Sequence, residues 1–474
     1  MLLKNKTVKN SLYSALYQVL ILFVPLATTP YITRIFTAEQ LGVYASSLAL
    51  VSFFVVLASF GLPLYGSREI AKSSGNNRQL RFVQFFLFQI VTSIISFILF
   101  IILIRVTGAN KYYYYQSLLI IVNIFDVSWF FIGIEEIKRT LLRNFFSKIF
   151  TLITIFIFVK TSSDLNIYIF LNILGMFIGN ISMIIQLKKF LFQPFNLVFL
   201  DYKSIKECFN LFIPQILSNS KNTFDRLILL TLTGNNSFVG LYDQGRKLIN
   251  IIIAVSNSAT TAVLPKMTSL KAQNETKKFE MIIHKVLPIL VLFSVFATTG
   301  LIINADLFVS IFFGSSFTDV SQVLKYLSLS LLVIPLNFFL YNAILLPSSE
   351  DKIYRNILTI NFFVVILLNL ALDRKLDING AIISFVVSEY VSLIYCIFKL
   401  KISRLKKQIL KYLVFSISDC IISICFFYLV TEKLNLIFTG FTGLLIQIIY
   451  TSVIFIILHL LYFLIFITIK KLRK

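Results

Sequence analysis

Charged residues are scarce in this chain. They make up 14% of its 474 residues, whereas soluble globular proteins carry about 25%. Apolar residues reach 58% instead, and the mean hydropathy is +0.87. A composition this apolar excludes a soluble enzyme and an intrinsically disordered regulator.

Cysteine and histidine are almost absent as well. The four cysteines show no C-x-x-C spacing and lie in or beside apolar runs. This pattern excludes a disulfide scaffold and favours packing over redox or metal chemistry. Neither His284 nor His459 has a partner in the sequence that indicates metal binding or acid–base chemistry. We therefore expect no metal and no cofactor.

Long apolar runs are abundant. About 20 apolar residues cross a bilayer as a helix, and the chain contains fourteen runs of roughly that length. They lie near 11–33, 41–62, 82–104, 112–134, 146–160, 165–187, 208–233, 238–263, 286–313, 326–347, 357–372, 378–398, 412–430 and 441–469. The sequence therefore predicts an all-α integral membrane protein with about 14 transmembrane helices.

The distribution of lysine and arginine predicts the orientation, because cytoplasmic loops are enriched in these residues. With a cytoplasmic N-terminus, 32 of the 44 lysines and arginines fall in inside segments, 8 fall outside and 4 lie within spans. Both termini are thus predicted to be cytoplasmic. The net charge of +23 then reflects membrane topology, so no nucleic-acid partner is expected. The loops leave no room for a soluble catalytic domain, and the function must lie within the helix bundle.

The hydropathy pattern divides into two sets of six spans and a final pair. Gly42-Val43-Tyr44 opens the second span and Gly240-Leu241-Tyr242 opens the eighth, which indicates a duplication. We predict an N-terminal lobe (1–200), a C-terminal lobe (201–400) and an appended helix pair (401–474). Parallel repeats of this kind place a substrate cavity at their interface.

Two predicted spans carry charges at membrane depth, where they are costly and usually face a protein interior or a wet cavity. The residues are Lys221, Asp225 and Arg226 in the seventh span and Asp243, Arg246 and Lys247 in the eighth. Each span places a lysine and an aspartate four residues apart, so that they can pair on one helix face. Such pairs could simply lock two helices together. The excess of two positive charges favours a cationic cavity for an anionic substrate.

Other ionisable residues have two interpretations each. Arg34, at the outer end of the first span, either joins the cavity or anchors the helix at the interface. The acids that could carry H+ or Na+ in coupled transport are Asp126, Asp225, Asp243, Glu389 and Asp419. A satisfied structural carboxylate near a helix end is the alternative for each single acid.

Several motifs resemble those of the Wzx-type polysaccharide flippases, within the multidrug/oligosaccharidyl-lipid/polysaccharide exporter superfamily. In chain order they are Pro30-Tyr31-Ile32-Thr33-Arg34 with Leu41-Gly42-Val43-Tyr44, Tyr65-Gly66-Ser67-Arg68-Glu69-Ile70-Ala71, Trp129-Phe130-Phe131-Ile132-Gly133-Ile134-Glu135 with Arg143-Asn144, Phe224-Asp225-Arg226, Val239-Gly240-Leu241-Tyr242 and Gly380-Ala381 with Ser388-Glu389. Ile132 stands where this family often has Gln. The similarity extends over nearly the whole length.

This resemblance implies alternating access by two six-helix lobes around a central cavity. The substrate would be an undecaprenyl-diphosphate-linked oligosaccharide repeat unit, moved from the cytoplasmic to the outer leaflet of a bacterial plasma membrane for capsule, O-antigen or exopolysaccharide synthesis. The residues expected to hold the diphosphate are Lys221, Arg226, Arg246, Lys247 and Arg34. Arg68 and Glu69 match a cytoplasmic signature and would form a gate or a clasp. Partners from polysaccharide assembly are expected by analogy.

Three alternatives stay open. A cation-coupled multidrug exporter and a peptidoglycan-precursor flippase share the superfamily. The first would favour an acidic or apolar cavity, and the first-span signature of the second is not found here. A repeat-unit polymerase or ligase is the alternative of another class, but it would be expected to carry a large outside loop with polar catalytic residues. We therefore expect a transporter and not an enzyme.

Overall fold

The computed structural model describes residues 23–190, 199–400, 403–434 and 438–472, except for the side chains of 218, 220–222, 403, 404 and 460–472. All regular elements within these ranges are helical. Contacts divide the chain into two compact units, Met1–Gly240 and Leu241–Lys474. The predicted lobe boundaries at 200 and 400 derive from a presumed duplication and stay a prediction.

The described residues of the first unit contain ten helices, together with the opening turn of an eleventh. They are α1 (described part 23–35), α2 (Ala38–Ser59), α3 (Leu62–Lys72), α4 (Gly75–Val106), α5 (Lys111–Gln116), α6 (Leu118–Ile124), α7 (Ser128–Gly133), α8 (Ile137–Phe158), α9 (Leu165–Leu187), α10 (Tyr202–Thr233) and the start of α11 (Asn236–Ala272). A 3₁₀ turn at Ser162–Asp164 precedes α9.

In the second unit, the described part of the chain forms most of α11 and seven further helices. They are α12 (Thr276–Phe312), α13 (Val320–Ser328), α14 (Ile334–Phe339), α15 (Asp351–Leu376), α16 (Ile378–Lys399), α17 (Ser403–Lys433) and α18 (Gly440–Leu472). Turns of 3₁₀ helix occur at Ser315–Phe317 and Leu329–Leu332, and α14 continues as π-helix over Leu340–Leu345.

Twelve helical stretches among the described residues are long and apolar enough to cross a membrane. The helix over 23–35 and α10 account for the other two predicted spans. The charged residues in the middle of α10 explain why this helix is less apolar than the rest. The fold is therefore that of a multi-pass, all-α membrane protein with about fourteen spans, as predicted.

Two predicted spans differ from single straight helices. The fourth is divided into α5, α6 and α7, and the side chain of Gln89 compensates for the break by donating to the carbonyls of Asn123 (2.6 Å) and Asp126 (3.0 Å). The tenth is divided into α13, a 3₁₀ turn and α14, which has Pro335 in its first turn. Such breaks are tolerated in a membrane when protein groups satisfy the freed backbone.

In the first unit, two of the motifs shared with the flippases pack against each other. Gly66 on α3 lies against the ring of Trp129 on α7, and a Cβ at Gly133 would lie 2.7 Å from the Ser67 carbonyl oxygen. Trp129 Nε1 also donates to Gln89 Oε1 (2.9 Å). These motifs therefore serve helix packing, which explains their small and aromatic residues.

The Gly42 and Gly240 motifs also meet within the first unit. A Cβ at Gly42 would lie 1.7 Å from the Asn236 carbonyl oxygen, and one at Gly240 would lie 2.0 Å from the Ala38 carbonyl oxygen. Gly42 thus faces the residue four positions before Gly240, and Gly240 faces the residue four positions before Gly42. The contact is therefore reciprocal. A duplication that relates the two motifs would produce such a contact.

In the second unit, α12 packs against α13, α17 and α18. The core around it draws on α14, α15 and α16 as well, with Leu287, Val333, Phe339, Ile357 and Leu393 as central members. Phe296 and Phe455 pack edge to face with ring centroids 5.2 Å apart, and Gln447 donates to the Ile303 carbonyl. The appended helix pair is therefore anchored on α12.

Candidate functional site

The charged residues of α11 are buried at the start of the second unit. Asp243 and Arg246 are 4% and 2% exposed. Lys247 Nζ lies 2.9 Å from Asp243 Oδ2, and 29% of the Lys247 side chain is exposed. The pairing of Asp243 with Lys247 that their spacing predicts is confirmed. Together, Asp243, Arg246 and Lys247 give this part of the helix a formal charge of +1.

Arg246 is held against aromatic rings. Its guanidinium carbon lies 3.5 Å from the ring centroid of Phe385 on α16, and its Nη1 lies 3.4 Å from the Tyr242 hydroxyl. An aromatic face attracts a cation, and this attraction fixes the distance of the cation from the ring more than its orientation. Next to it, Gly245 lies so close to Val323 that a Cβ would approach Val323 Cγ1 to 2.7 Å. Close packing on both sides thus buries this arginine.

The second predicted group of charges lies on α10, in the first unit. Asp225 is 1% exposed, and its Oδ1 accepts from the Arg226 N–H (2.8 Å). The side chain of Lys221 lies outside the described residues, so its predicted pairing with Asp225 stays a prediction. Because Arg226 belongs to the first unit and Arg246 to the second, the common cavity also stays a prediction.

Arg34 and Arg68 lie at exposed positions of the first unit, and Glu69 is partly buried there. Arg34 is exposed and donates to the Pro30 carbonyl within its own helix. Glu69 pairs with Lys72 (2.7 Å) on α3, and Arg68 is exposed beside it. The same helix supplies Gly66 to the packing described above, and a role as gate or clasp stays a prediction.

Two of the acids considered for ion coupling have clear partners. Asp126 Oδ1 accepts from Arg143 Nη1 and from the Ser128 N–H, both at 2.9 Å. Glu389 Oε2 accepts from Asn337 Nδ2 (3.0 Å), which also donates to the Glu389 carbonyl. These contacts match the structural alternative, and ion coupling stays a prediction.

The family model described as polysaccharide biosynthesis protein matches residues 7–271, more than half of the chain. The chain belongs to this family. A second model, described as lipid II flippase MurJ, matches residues 142–458. The resemblance to Wzx-type flippases of the exporter superfamily is thereby confirmed.

Two curated relatives of this family member are named as putative O-antigen transporters, and a third is named as a capsular polysaccharide biosynthesis protein. A putative O-antigen transporter of Shigella dysenteriae is 22% identical over 78% of this chain and 94% of its own length. A putative O-antigen transporter of Escherichia coli K12 is 24% identical over 80% of this chain and 93% of its own length. The capsular polysaccharide biosynthesis protein CapF of Staphylococcus aureus is 24% identical over 40% of this chain and 48% of its own length.

Solved structures show the same fold. The inward closed conformation of lipid II flippase MurJ has a TM-score of 0.72 at 15% identity, covering 97% of this chain and 100% of the other. An inward-facing multidrug resistance MATE family transporter of the MOP superfamily has a TM-score of 0.60 at 14% identity, covering 80% and 92%. These likenesses establish the superfamily architecture for this polysaccharide biosynthesis family member.

The structure also reveals buried polar residues that sequence reasoning missed. On α15, Asn361, Asn369 and Asp373 lie on one buried face, and the last two have no exposed surface. Asn361 Nδ2 donates to Ser392 Oγ (2.6 Å) on α16. The spacing of four and eight residues was the available signal, because it places these side chains on one helical face.

The expectation that His459 has no acid–base partner is wrong. His459 Nε2 on α18 lies 2.8 Å from Asp419 Oδ2 on α17, and its Nδ1 lies 2.8 Å from the Phe455 carbonyl oxygen. The two residues are 40 positions apart, so only the pairing of the appended helices brings them together. Local spacing could not reveal this contact.

Proposed function

We propose that this protein translocates undecaprenyl-diphosphate-linked oligosaccharide repeat units from the cytoplasmic to the outer leaflet of a bacterial plasma membrane. The product would feed the synthesis of capsule, O-antigen or exopolysaccharide. Membership of the polysaccharide biosynthesis family carries this proposal. The two O-antigen transporters that match over more than nine-tenths of their lengths support it.

The proposed mechanism is alternating access without catalysis of a covalent step. The diphosphate would be held by charge-assisted hydrogen bonds, for which the positive excess on α11 around Arg246 and Lys247 supplies donors. Lys221, Arg226 and Arg34 are proposed to contribute from the first unit. Coupling to H+ or Na+ through Asp126, Asp225, Asp243 or Glu389 is part of the proposal, as are cytoplasmic termini and partners in polysaccharide assembly.

Lipid analysis of cells depleted of the protein tests this function. We expect undecaprenyl-linked oligosaccharide to accumulate in the cytoplasmic leaflet and surface polysaccharide to disappear. An unchanged lipid pool with normal surface polymer would contradict the proposal and favour a drug exporter. Accumulation in the outer leaflet would indicate a polymerase or ligase.

A peptidoglycan-precursor flippase is the second candidate, because the lipid II flippase family model matches residues 142–458. The same depletion separates the two functions. Accumulation of the peptide-bearing precursor, accompanied by lysis, would favour this second candidate. Accumulation of an oligosaccharide without peptide, in cells that keep an intact wall, would favour the first.

A further inference from the structure

A cavity of about 800 Å³ lies between α8 and α9 in the first unit. It extends from Ser147 and Gly179 to Glu136 and Gln186, and none of its lining residues belongs to α10 or α11. It is therefore separate from the charged residues proposed to hold the diphosphate. Its volume falls within the range of small-molecule sites, about 300–1,000 Å³.

Small residues join the two helices at one end of this cavity. A Cβ at Gly175 would lie 2.0 Å from Thr151 Oγ1, and the Ser147 hydroxyl donates to the Gly175 carbonyl (2.6 Å). One turn further along α9, Gly179 leaves room for the Arg143 side chain. Small residues four apart allow such close approach of membrane helices. The cavity is thus bounded by a tight helix contact.

Cations dominate the polar lining. Lys138, Arg139 and Arg143 face a single acid, Glu136. Arg143 is braced by Asp126 and by Asn180 Oδ1, each 2.9 Å from its Nη1. Counting Asp126 as well, the group keeps a net positive charge.

Arg139 is positioned to bind a further group. Its Nη1 donates to Gln186 Oε1 (2.7 Å) and its Nε to Glu136 Oε2 (3.3 Å). A guanidinium has five N–H groups, so about three donors remain for a ligand among the contacts described. The side chain is 28% exposed. It is therefore both oriented and accessible.

The position of these cations on α8 is unfavourable without an anion. They lie in the first two turns of the helix, where the positive end of the helix dipole repels the nearest of them, and Glu136 at the N-cap offsets only part of their charge. The positive-inside tendency explains why cations occur at this end of the span. It does not explain why they line a cavity together with Ser182 and Gln186.

We propose that this cavity binds the phosphate-bearing head group of a membrane lipid. Basic pockets between transmembrane helices on the cytoplasmic side are suited to such groups, and guanidinium–phosphate contacts are charge-assisted. The apolar lining residues Leu142, Phe146 and Ile178 would contact the adjoining part of the lipid. The head group comes either from an anionic phospholipid of the bilayer or from a polyprenyl diphosphate. The inference rests on the proposed membrane orientation but not on the proposed transport of a repeat unit.

Lipid binding to the purified full-length protein in neutral detergent tests this inference. Phosphatidylglycerol and undecaprenyl diphosphate are the probes, and native mass spectrometry measures the apparent Kd of each. We expect Lys138→Gln with Arg139→Gln to weaken binding of at least one probe about tenfold or more, since charged hydrogen bonds are lost. Both residues are partly exposed, so this variant should fold. Ser182→Phe, which fills the cavity and keeps its charge, should weaken the same probe.

Lys278→Gln is the matched control, because Lys278 forms an i, i+3 pair with Glu275 as Arg139 does with Glu136, and it lies outside the cavity. It should leave both Kd values unchanged. An equal loss in this control would indicate general charge attraction and overturn the site. Unchanged binding in the double variant, or in a folded Ser182→Phe, would also overturn it.

The two probes identify the source of the head group. A cavity-dependent Kd for phosphatidylglycerol alone assigns a bilayer phospholipid, and one for undecaprenyl diphosphate alone assigns the polyprenyl lipid. If neither probe binds, the proposal is wrong. Lipid analysis of depleted cells tests the transport function separately, so that either result can fail without the other.

Discussion

Arg143 in the first unit and Arg246 in the second are both largely withdrawn from solvent, but they are held in different ways. Arg143 donates to Asp126 and Asn180, at 2.9 Å each, and to the neighbouring Asn144. Arg246 instead stacks on Phe385 with its guanidinium carbon 3.5 Å from the ring centroid. The described contacts of Arg143 are hydrogen bonds to three side chains, whereas those of Arg246 include an aromatic face beside the Tyr242 hydroxyl, which lies 3.4 Å away.

This difference indicates different roles. Directional bonds from Arg143 join three parts of the chain, namely the turn before α7, α8 and α9, so the residue specifies local geometry. The contact of Arg246 with Phe385 depends on the charge distribution of a whole ring and not on a single acceptor. Arg143 therefore ties together elements of the first unit, whereas the ring of Phe385 supports Arg246 within the second unit.

The largest effect is expected when Arg143 is replaced. Arg143→Leu removes the donor to Asp126 and Asn180 and should destabilise the fold by about 2–4 kcal/mol, because a partly buried carboxylate loses its counter-charge. We expect a lower apparent melting temperature in detergent and less folded protein in the membrane. Asp126→Asn in the same chain should recover part of this loss.

Arg139→Gln serves as the comparison for Arg143→Leu, since Arg139 is 28% exposed and its ion pair should contribute only about 0–1 kcal/mol. A melting temperature of Arg143→Leu equal to that of the unaltered protein would contradict the structural role. Arg143 would then contribute no more to stability than Arg139 does.

Replacement of the α11 cations should affect transport more than folding. Arg246→Gln and Lys247→Gln should each reduce flipping about tenfold or more, as expected for loss of a charged hydrogen bond to substrate. Because Lys247→Gln leaves the buried carboxylate of Asp243 without this cation, flipping is compared per amount of folded protein. The measurement is transfer of fluorescent lipid-linked oligosaccharide in proteoliposomes.

A double variant separates transport from helix locking. Asp243→Asn with Lys247→Gln removes both charges of the 2.9 Å pair, so neither is left buried alone. If the pair only joins parts of the helix, this variant should transport normally. We expect it to stay defective, and full activity in all three variants would return these residues to a structural role.

Much of this arrangement follows from local pattern in the sequence. Apolar length predicted the spans, and the spacing of Asp243 and Lys247 predicted their pairing, because both depend on one helix only. The breaks in the fourth and tenth spans could not be predicted from this local pattern. The first depends on Gln89 reaching carbonyls of another helix, which no hydropathy profile contains.

The contacts of the candidate site were hidden for the same reason. Arg143 and Asp126 are separated by a helix break, and Arg246 and Phe385 are 139 positions apart. The sequence identified Arg246 as costly within a membrane but could not identify the ring that covers it. Partners far away in the sequence decide whether a charged side chain is exposed, hydrogen-bonded or packed on an aromatic ring. Composition alone does not identify these partners.

A smaller effect is expected when the ring over Arg246 is removed. Phe385→Leu should destabilise the second unit by about 0.5–2 kcal/mol through loss of the cation–π contact. Phe398→Leu on the same helix is the control, because Phe398 is 73% exposed. Thermal unfolding compares the two. Equal melting temperatures would show that the aromatic face does not hold the arginine, and the contrast with Arg143 would disappear.

The smallest effect is expected for the pair that His459 forms with Asp419 in the appended helices. His459→Gln can still donate to the carboxylate that lies 2.8 Å from Nε2, so the loss of stability should stay below about 1 kcal/mol. Transport should be unchanged, because this pair joins the appended helices and contributes no residue to the α11 site. His459→Leu is the comparison, since it leaves Asp419 without that donor and should lower the melting temperature further. A transport defect in a stably folded His459→Gln would contradict this assignment. It would place the appended helices within the transport cycle and make their titratable pair a site for the coupling proton.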